Sequence, residues 1–436
     1  MDSTGSQPNT ADVEARVPPA QPPLIPGLPA RLFAPRVGML RALRHPNYRL
    51  FWTGNFLSNI GTWMQHMAQG WLVLELTNSP FLLGLVGFAQ FVPALLFSLP
   101  GGVIADRVNR RLLLIGTHSA MLLLALTLAV SLSLNIITYT EILVIVFLLG
   151  TASALNAPAY QAMVQDTSSR EDVLNAIALN SLQFNLSRFL GPSVAGVLVS
   201  TVGLASCFYI NTLSFLAPIL ALTLLHVQPV AHAAEGSALE RLVEGLRYIW
   251  THRHILILIS IVAMVSLFGL PYLIFLPVFA RDVLDVGARG LGYMLSASGG
   301  GALLGALTLA NWPAEQRRGP LVLTGTVLFF AGVLLLALSR NFYLSLAGLV
   351  LAGGAMVASV ATVNSLIQGL VPDAVRGRVL SMHTMAYLGF SPLGSLLVGI
   401  LADFWGTPRA LAASTAVPLV IVGVIALSVP AIRRLH

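Results

Sequence analysis

Long apolar stretches, each bounded by a short polar or Gly/Pro-containing break, recur along the chain from about residue 51 to residue 430. A helix needs about 20 apolar residues to cross the hydrocarbon layer of a bilayer. The stretches reach that length at 51–74, 81–104, 112–134, 139–164, 174–199, 204–225, 255–280, 288–310, 320–339, 342–370, 377–402 and 409–430. The pattern therefore predicts twelve membrane-spanning helices. The longest polar interruption among them, Val227 to His254, has its own rhythm: Leu239, Leu242, Val243, Leu246 and Ile249 recur at helical spacing opposite Glu240, Arg241, Glu244 and Arg247. That amphipathic pattern fits a helix lying along a membrane surface and joining two six-helix halves.

Before the first span, residues 1 to about 36 hold eight of the 25 prolines and no apolar core of a signal peptide. They read as a disordered cytoplasmic tail. The expected organisation is a Pro-rich and basic tail (1–49), a first six-helix half (50–226), a linker with the amphipathic helix (227–254), a second half (255–430) and a short cytoplasmic C-terminus (431–436). A sparse internal repeat supports the two halves. A shift of 203 residues lays Gln165 on Gln368, Gly191 on Gly394, Gly196 on Gly399 and Gly203 on Gly406, and a shift of 208 lays Gly84 on Gly292 and Arg110 on Arg318.

Composition narrows the class. Only 9% of the 436 residues are charged and the mean hydropathy is +0.82, whereas soluble domains carry about 25% charged residues. A soluble enzyme is excluded, and so is a membrane β-barrel, which is written in short alternating segments. The single cysteine, Cys207, and the scattered histidines offer no disulfide, redox or metal cluster. No cofactor is expected.

All 24 basic residues are arginine. Nineteen of them fall on the side of the N-terminus and only Arg281, Arg289, Arg340 and Arg409 on the other. By the positive-inside rule this places both termini in the cytoplasm. The net charge of +7 is then a topology signal, and nucleic acid is not a partner.

The loop after the second span reads Gly101, Gly102, Val103, Ile104, Ala105, Asp106, Arg107, Val108, Asn109, Arg110, Arg111. With twelve spans, it resembles the G-x-x-x-D-R-x-G-R-R loop of the major facilitator superfamily. Gly102, Asp106, Arg107, Arg110 and Arg111 keep that spacing, and Asn109 replaces a glycine in what is expected to be a left-handed turn. The resemblance implies a conformational latch. Asp106 would face the N-terminus of the helix beginning near Arg376, and Arg110 would pair with Asp166. The equivalent loop of the second half, Trp312 to Gly319, keeps Arg317 and Arg318 but lacks an aspartate.

Gly191, Pro192 and Gly196 on the fifth span resemble the G-P-x-x-x-G element of facilitator exporters. They are expected to pack against the eighth span, where Gly301 and Gly305 form a G-x-x-x-G pair. The residues Asn47 to Phe51, Trp71 to Val73, Thr77, Ser79, Pro80, Asn185 and Arg188 are similar to the branch of proton-driven exporters containing enterobactin and macrolide efflux proteins. That resemblance runs from about residue 40 to 430.

Within the first span Asn55, Asn59, Thr62, His66 and Gln69 are spaced 4, 3, 4 and 3, so they share one stripe of the helix. Polar groups in hydrocarbon are costly and face water or other helices. The stripe therefore lines a central cavity or forms hydrogen bonds between helices. Asn185 and Arg188 repeat the pattern on the fifth span, Asn364 and Gln368 on the tenth, and His383 and Tyr387 on the eleventh. Arg188 lies near mid-membrane, where a charge is retained for function or for an obligatory partner. Candidates for carrying a coupled proton are Glu75, His66, His383 and Asp166, the histidines titrating closest to neutral pH.

The sequence thus reads as an all-α integral membrane protein with the major facilitator fold. The expected function is a proton-coupled exporter of amphipathic small molecules such as drugs, macrolides or siderophores, with a proton-coupled importer as the alternative. Its partners would be the small-molecule substrate, protons and the lipid bilayer, in a monomer of a bacterial inner membrane. No catalytic residue is expected, because no span supplies a convergent nucleophile, metal site or acid pair.

Overall fold

Proline and side-chain caps set where the helices begin and end. In a computed structural model of the chain, residues 40–169, 171–225, 238–312 and 317–428 are described, apart from the side chains at 98, 99, 103, 106, 238–243, 374 and 427. Residues 1–39 of the tail expected over 1–49, the first part of the linker and the C-terminal segment 431–436 lie outside the described residues.

After a 3₁₀ turn at Arg41–Arg44, the first half comprises α1 (Pro46–Thr77), α2 (Pro80–Arg107), α3 (Arg110–Ser133), α4 (Tyr139–Asp166), α5 (Val173–Thr201) and the pair α6 (Ala205–Ser214) and α7 (Leu216–Leu224). Asn78, left-handed at φ 48°, ends α1. Ser79 then caps α2 by accepting from the Leu82 N–H, with Pro80 in the first turn. The break at Phe215 follows from Pro218, which has no N–H to continue the ladder.

The second half begins after α8 (Ala238–Thr251), whose Glu244 pairs at 2.9 Å with Arg378. It comprises α9 (Arg253–Met264), α10 (Tyr272–Val278), α11 (Gly287–Ala310), α12 (Arg318–Leu338), α13 (Phe342–Leu370), α14 (Asp373–Trp405) and α15 (Thr407–Ser428). The seventh apolar stretch is not one regular helix. π-Helical turns at Val265–Gly269 and Phe279–Val283 interrupt it on either side of α10, and Pro271 follows the first of them.

Among the described residues, ten helical segments are long and apolar enough to cross a membrane. α1 and α5 are of similar length, 32 and 29 residues, but their polar stripes lower their hydropathy.

Contacts fix which helix ends lie together. Arg110 meets Asp166, Arg41 meets Asp172, and Arg111 donates to the Thr223 carbonyl, so the start of α3 and the ends of α4 and α7 share the arginine-rich end. At the opposite end the buried apolar side chains of both halves merge into one cluster. It includes Met67, Leu72, Val86, Ile145 and Phe208 from the first half and Phe275, Phe279, Leu291, Phe330 and Val398 from the second. At the arginine-rich end the halves have separate cores: Tyr48, Phe51, Leu114, Met163 and Leu179 in one, and Ile255, Leu258, Val322, Leu366 and Val379 in the other. The two halves are joined at the arginine-poor end and packed independently at the arginine-rich end.

The joint depends on two matching glycine contacts. A Cβ on Gly84 of α2 would lie 2.6 Å from the Ser395 carbonyl oxygen and 3.1 Å from the Gly399 Cα of α14. A Cβ on Gly292 of α11 would lie 2.6 Å from the Pro192 carbonyl oxygen and 2.9 Å from the Gly196 Cα of α5. The residue shifts that relate Gly84 to Gly292 and Gly196 to Gly399 therefore convert one contact into the other. Lipid supplies no hydrophobic drive between helices, so backbone approach of this kind is what holds them together.

Candidate functional site

A buried arginine, Arg188, sits where the two halves diverge. α5 runs between α1 and α11, and the backbone of Gly299 comes close enough to Arg188 that a Cβ would lie 2.7 Å from the Arg188 carbonyl oxygen. That approach sets Ser298 beside the guanidinium. Arg188 is 6% exposed; its Nη2 donates to Ser298 Oγ at 3.0 Å, and the Tyr272 hydroxyl is 2.6 Å from the same oxygen. Its Cζ stands 5.8 Å from the Trp63 ring centroid. Its Nε is buried without a hydrogen bond, and among the described residues no carboxylate forms an ion pair with it.

The α1 stripe divides in two. His66 and Gln69 both reach Gln90 of α2, at 3.1 and 3.4 Å, and the His66 ring meets Trp63 edge-on at 5.5 Å between centroids. These contacts join the histidine to the arginine through one aromatic ring. Asn55 instead donates to the Phe51 carbonyl, and Thr62 to the Ser58 carbonyl, within the same helix. Asn59 is half-buried.

On α5, Asn185 donates to the Ser181 carbonyl. Tyr387 of α14 lies within electrostatic reach of Arg188 and Tyr272, and its carbonyl accepts from Ser266 at 2.6 Å. His383 is 5% exposed, with its ring beside the Val360 backbone. Asn364 and Gln368 bond to each other at 2.5 Å on an exposed face of α13, apart from this cluster.

Three members of the cluster escaped sequence reasoning: Trp63, Gln90 and Ser298. Gln90 is flagged by being an amide in an apolar span. Trp63 and Ser298 have no such signal, since both residue types are common in membrane helices.

In the expected latch, Arg110 Nη1 meets Asp166 Oδ2 at 2.9 Å, with side chains 14% and 15% exposed. The side chain of Asp106 lies outside the described residues, and Arg107 is exposed. One expectation is corrected here. Asn109 is not left-handed: at φ −63° and ψ 110° it is the extended N-cap of α3, its side chain accepting from the Arg111 and Leu112 N–H groups. Gly102 has no neighbour within 4 Å of a Cβ, whereas one on Gly101 would lie 3.1 Å from the Ala154 carbonyl. The close approach is made by Gly101.

The second half carries Arg318 at the position matching Arg110, and there it bonds the Ser365 hydroxyl of α13. A hydrogen bond to a neutral hydroxyl stands where the first half has an ion pair.

The G-P-x-x-x-G element packs against the eighth span, α11, as expected, but not at the expected glycines. Gly191 packs on α1, at Trp63 and the Ile60 carbonyl, and Gly196 packs on Gly292 of α11. Gly301 and Gly305 face Val350 and Gly354 of α13 instead. Pro192 contributes through its carbonyl, which sits against Gly292.

Glu75 lies near the arginine-poor end, is exposed, and accepts from the Trp71 ring N–H at 2.5 Å; it does not join the cluster. At the arginine-rich end, outside the spans, a hydrogen bond from His45 and the charge of Arg41 hold the Asp172 carboxyl below the usual carboxylate range.

Comparison with known proteins identifies the family and the fold. A family profile described as transmembrane secretion effector, of the major facilitator superfamily, matches residues 37–434. The staphyloferrin A transporter of Staphylococcus aureus is 28% identical over 366 residues, 83% of this chain and 91% of that protein. The enterobactin exporter EntS of Shigella boydii serotype 4 is 27% identical over 399 residues, 88% of this chain and 92% of that protein. In fold, the chain is similar to a bacterial homologue of the human lysosomal transporter Spinster in an inward-facing, unoccupied conformation. The TM-score is 0.70 at 15% identity, with 89% of this chain and 98% of that one covered.

Proposed function

Because the chain belongs to the major facilitator superfamily, in its drug and siderophore exporter branch, we propose that it is a proton-coupled exporter. In this reading it moves amphipathic small molecules such as drugs, macrolides or siderophores out of the cell. That it is a multi-pass membrane transporter of a small molecule, and not an enzyme, follows from the membership itself. Direction, coupling and mechanism are the proposal.

The observation that carries it is the unequal joining of the halves. One apolar core spans both at the arginine-poor end, each half has its own at the arginine-rich end, and the Arg188 cluster lies where they part. Such an arrangement supports alternating access, with the halves rocking about a site near the midplane. With the arginine-rich end and both termini in the cytoplasm of a bacterial inner membrane, this conformation opens inward.

The remaining roles belong to the same proposal. Arg110 and Asp166 bind the end of α4 to the start of α3, and with Gly102, Asp106, Arg107 and Arg111 they act as the latch of the inward side. Asn55, Asn59, Thr62, His66, Gln69, Asn185, Arg188, Asn364, Gln368, His383 and Tyr387 line the route. Protons are carried by His66 or His383, with Glu75 and Asp166 as the other candidates. The functional unit is the monomer.

The test uses inverted membrane vesicles energised with a proton gradient. Export predicts accumulation of a hydrophobic dye or siderophore that an uncoupler abolishes. Accumulation indifferent to the uncoupler refutes proton antiport, and gradient-driven uptake by right-side-out vesicles replaces export with import.

A further inference from the structure

Arg188 is a permanent cation that has no ion-pair partner among the described residues. Three acids on helices of the first half are engaged elsewhere: Glu75 with Trp71, Glu141 with Ser131, and Asp166 with Arg110. Its one hydrogen bond goes to a neutral hydroxyl, that of Ser298, and its Nε edge is buried with no partner. A guanidinium with an unengaged edge is shaped to hold a carboxylate through two parallel N–H donors. Arginines in hydrocarbon are retained by an opposite charge, by backbone carbonyls or by a water-filled cavity, and among the described residues Arg188 has neither an ion pair nor a carbonyl acceptor.

The surroundings match an amphipathic partner. Trp63 flanks the guanidinium at 5.8 Å and meets Phe184 edge-on at 5.7 Å, while Tyr272 lies against Phe329 at 6.2 Å. One fixed positive charge thus lies against an aromatic ring that is itself packed on a further ring. Trp63 belongs to the first half and Ser298 and Tyr272 to the second, so an anion at this point touches both halves.

We propose that Arg188, with the Ser298 hydroxyl and the Trp63 ring beside it, binds a carboxylate or comparable anionic group of the transported compound, so that the substrates are amphipathic organic anions. The inference rests on the transporter reading and names the substrate class of that site. The unfavourable buried charge also gives the anion a role in the cycle, since only the loaded site is neutral when the halves close around it.

The test uses full-length protein in nanodiscs of zwitterionic lipid and three probes with one fluorophore: dansylglycine as the anion, dansylglycinamide as the neutral form and dansylcadaverine as the cation. Energy transfer from tryptophan reports binding. Dansylglycine is expected to bind saturably, with the amide and the cation at least tenfold weaker. Arg188→Gln should weaken dansylglycine at least tenfold, Arg188→Lys should keep part of the affinity, and Ser298→Ala should change it a few-fold. Arg188→Lys and Ser298→Ala carry the test if Arg188→Gln fails to fold, as judged by its melting temperature.

Equal or tighter binding of the amide or the cation, unchanged dansylglycine binding in the variants, or no saturable binding of the anion overturns the proposal. Flux of dansylglycine into proteoliposomes is measured alongside. Anion-selective, Arg188-dependent binding without gradient-driven flux leaves the anion site standing and refutes the transport reading.

Discussion

Replacing Gly84 by alanine puts a methyl group into the joint between the halves. The new Cβ would lie 2.6 Å from the Ser395 carbonyl oxygen, about 0.8 Å inside the 3.4 Å at which ordinary contact begins. The obstructing atom is backbone of α14, so no side chain can turn aside and α2 and α14 must separate. Overpacking of this kind costs about 1–3 kcal/mol. Both glycines belong to helices of different halves, so the cost falls on the joined state and not on the folding of either half. It should therefore shift the balance toward opening at the arginine-poor end by about 5–150-fold.

Gly292→Ala should act alike, because its Cβ would meet the Pro192 carbonyl at the same 2.6 Å. Gly116→Ala serves as control, since nothing lies within 4 Å of a Cβ there. The assay places spin labels at Ser200 and Tyr343, exposed positions on opposite halves at the arginine-poor end, in a Cys207→Ser background. Distance distributions should lengthen in Gly84→Ala and Gly292→Ala and not in Gly116→Ala. Unchanged distributions in both glycine variants, with melting temperatures like that of the parent, would refute the reasoning that these contacts hold the halves together.

Three further outcomes follow from other contacts. Arg281 extends from the second half to donate to the Leu74 carbonyl at the end of α1, at 2.9 Å, and to the Asn78 side chain; Arg281→Ala should lengthen the same spin-label distances, by loss of about 1 kcal/mol of charge-assisted hydrogen bonding. Arg110→Gln or Asp166→Asn alone should destabilise the protein by about 1–3 kcal/mol, because each leaves a largely buried polar partner unpaired. The double variant should recover part of that loss in thermal melts, and strict additivity would show the pair to be uncoupled. The Asp172 carboxyl is held below its usual range by His45 and then Arg41, so its contribution is complete above the ordinary carboxylate pKa of about 3.9 and is lost as pH falls through the lower folded-state value. Melts recorded from pH 7 down to pH 3 should fall less steeply for Asp172→Asn than for the parent, and equal slopes would contradict the assignment.

Much of the architecture was legible because a bilayer constrains sequence severely. Apolar length places the helices, and a polar stripe marks α1 and α5 as helices that face something other than lipid. Even the repeat was visible, although its meaning was not: Gly84, Gly196, Gly292 and Gly399 read as scattered matches until the structure set them in two equivalent contacts.

The candidate site was less legible. One-dimensional spacing identifies a helix face but not what that face meets. His66 and Gln69 join Gln90, whereas Asn55 and Thr62 turn back on their own helix. The same blindness misassigned Gly301 and Gly305, whose partners lie on α13 and not α5, and it gave Asn109 a left-handed turn where capping decided the conformation.

Taken by itself, the sequence determined the membrane class, the helix positions, the charge asymmetry and the presence of one arginine deep in an apolar span. These are properties of local composition and period, which bilayer thickness and the burial of charge convert directly into structure. Which end of the protein is joined, and what stands around Arg188, only the tertiary structure decided. Both depend on contacts between residues more than 100 positions apart, such as Arg188 with Ser298, which helix packing creates and no local pattern encodes.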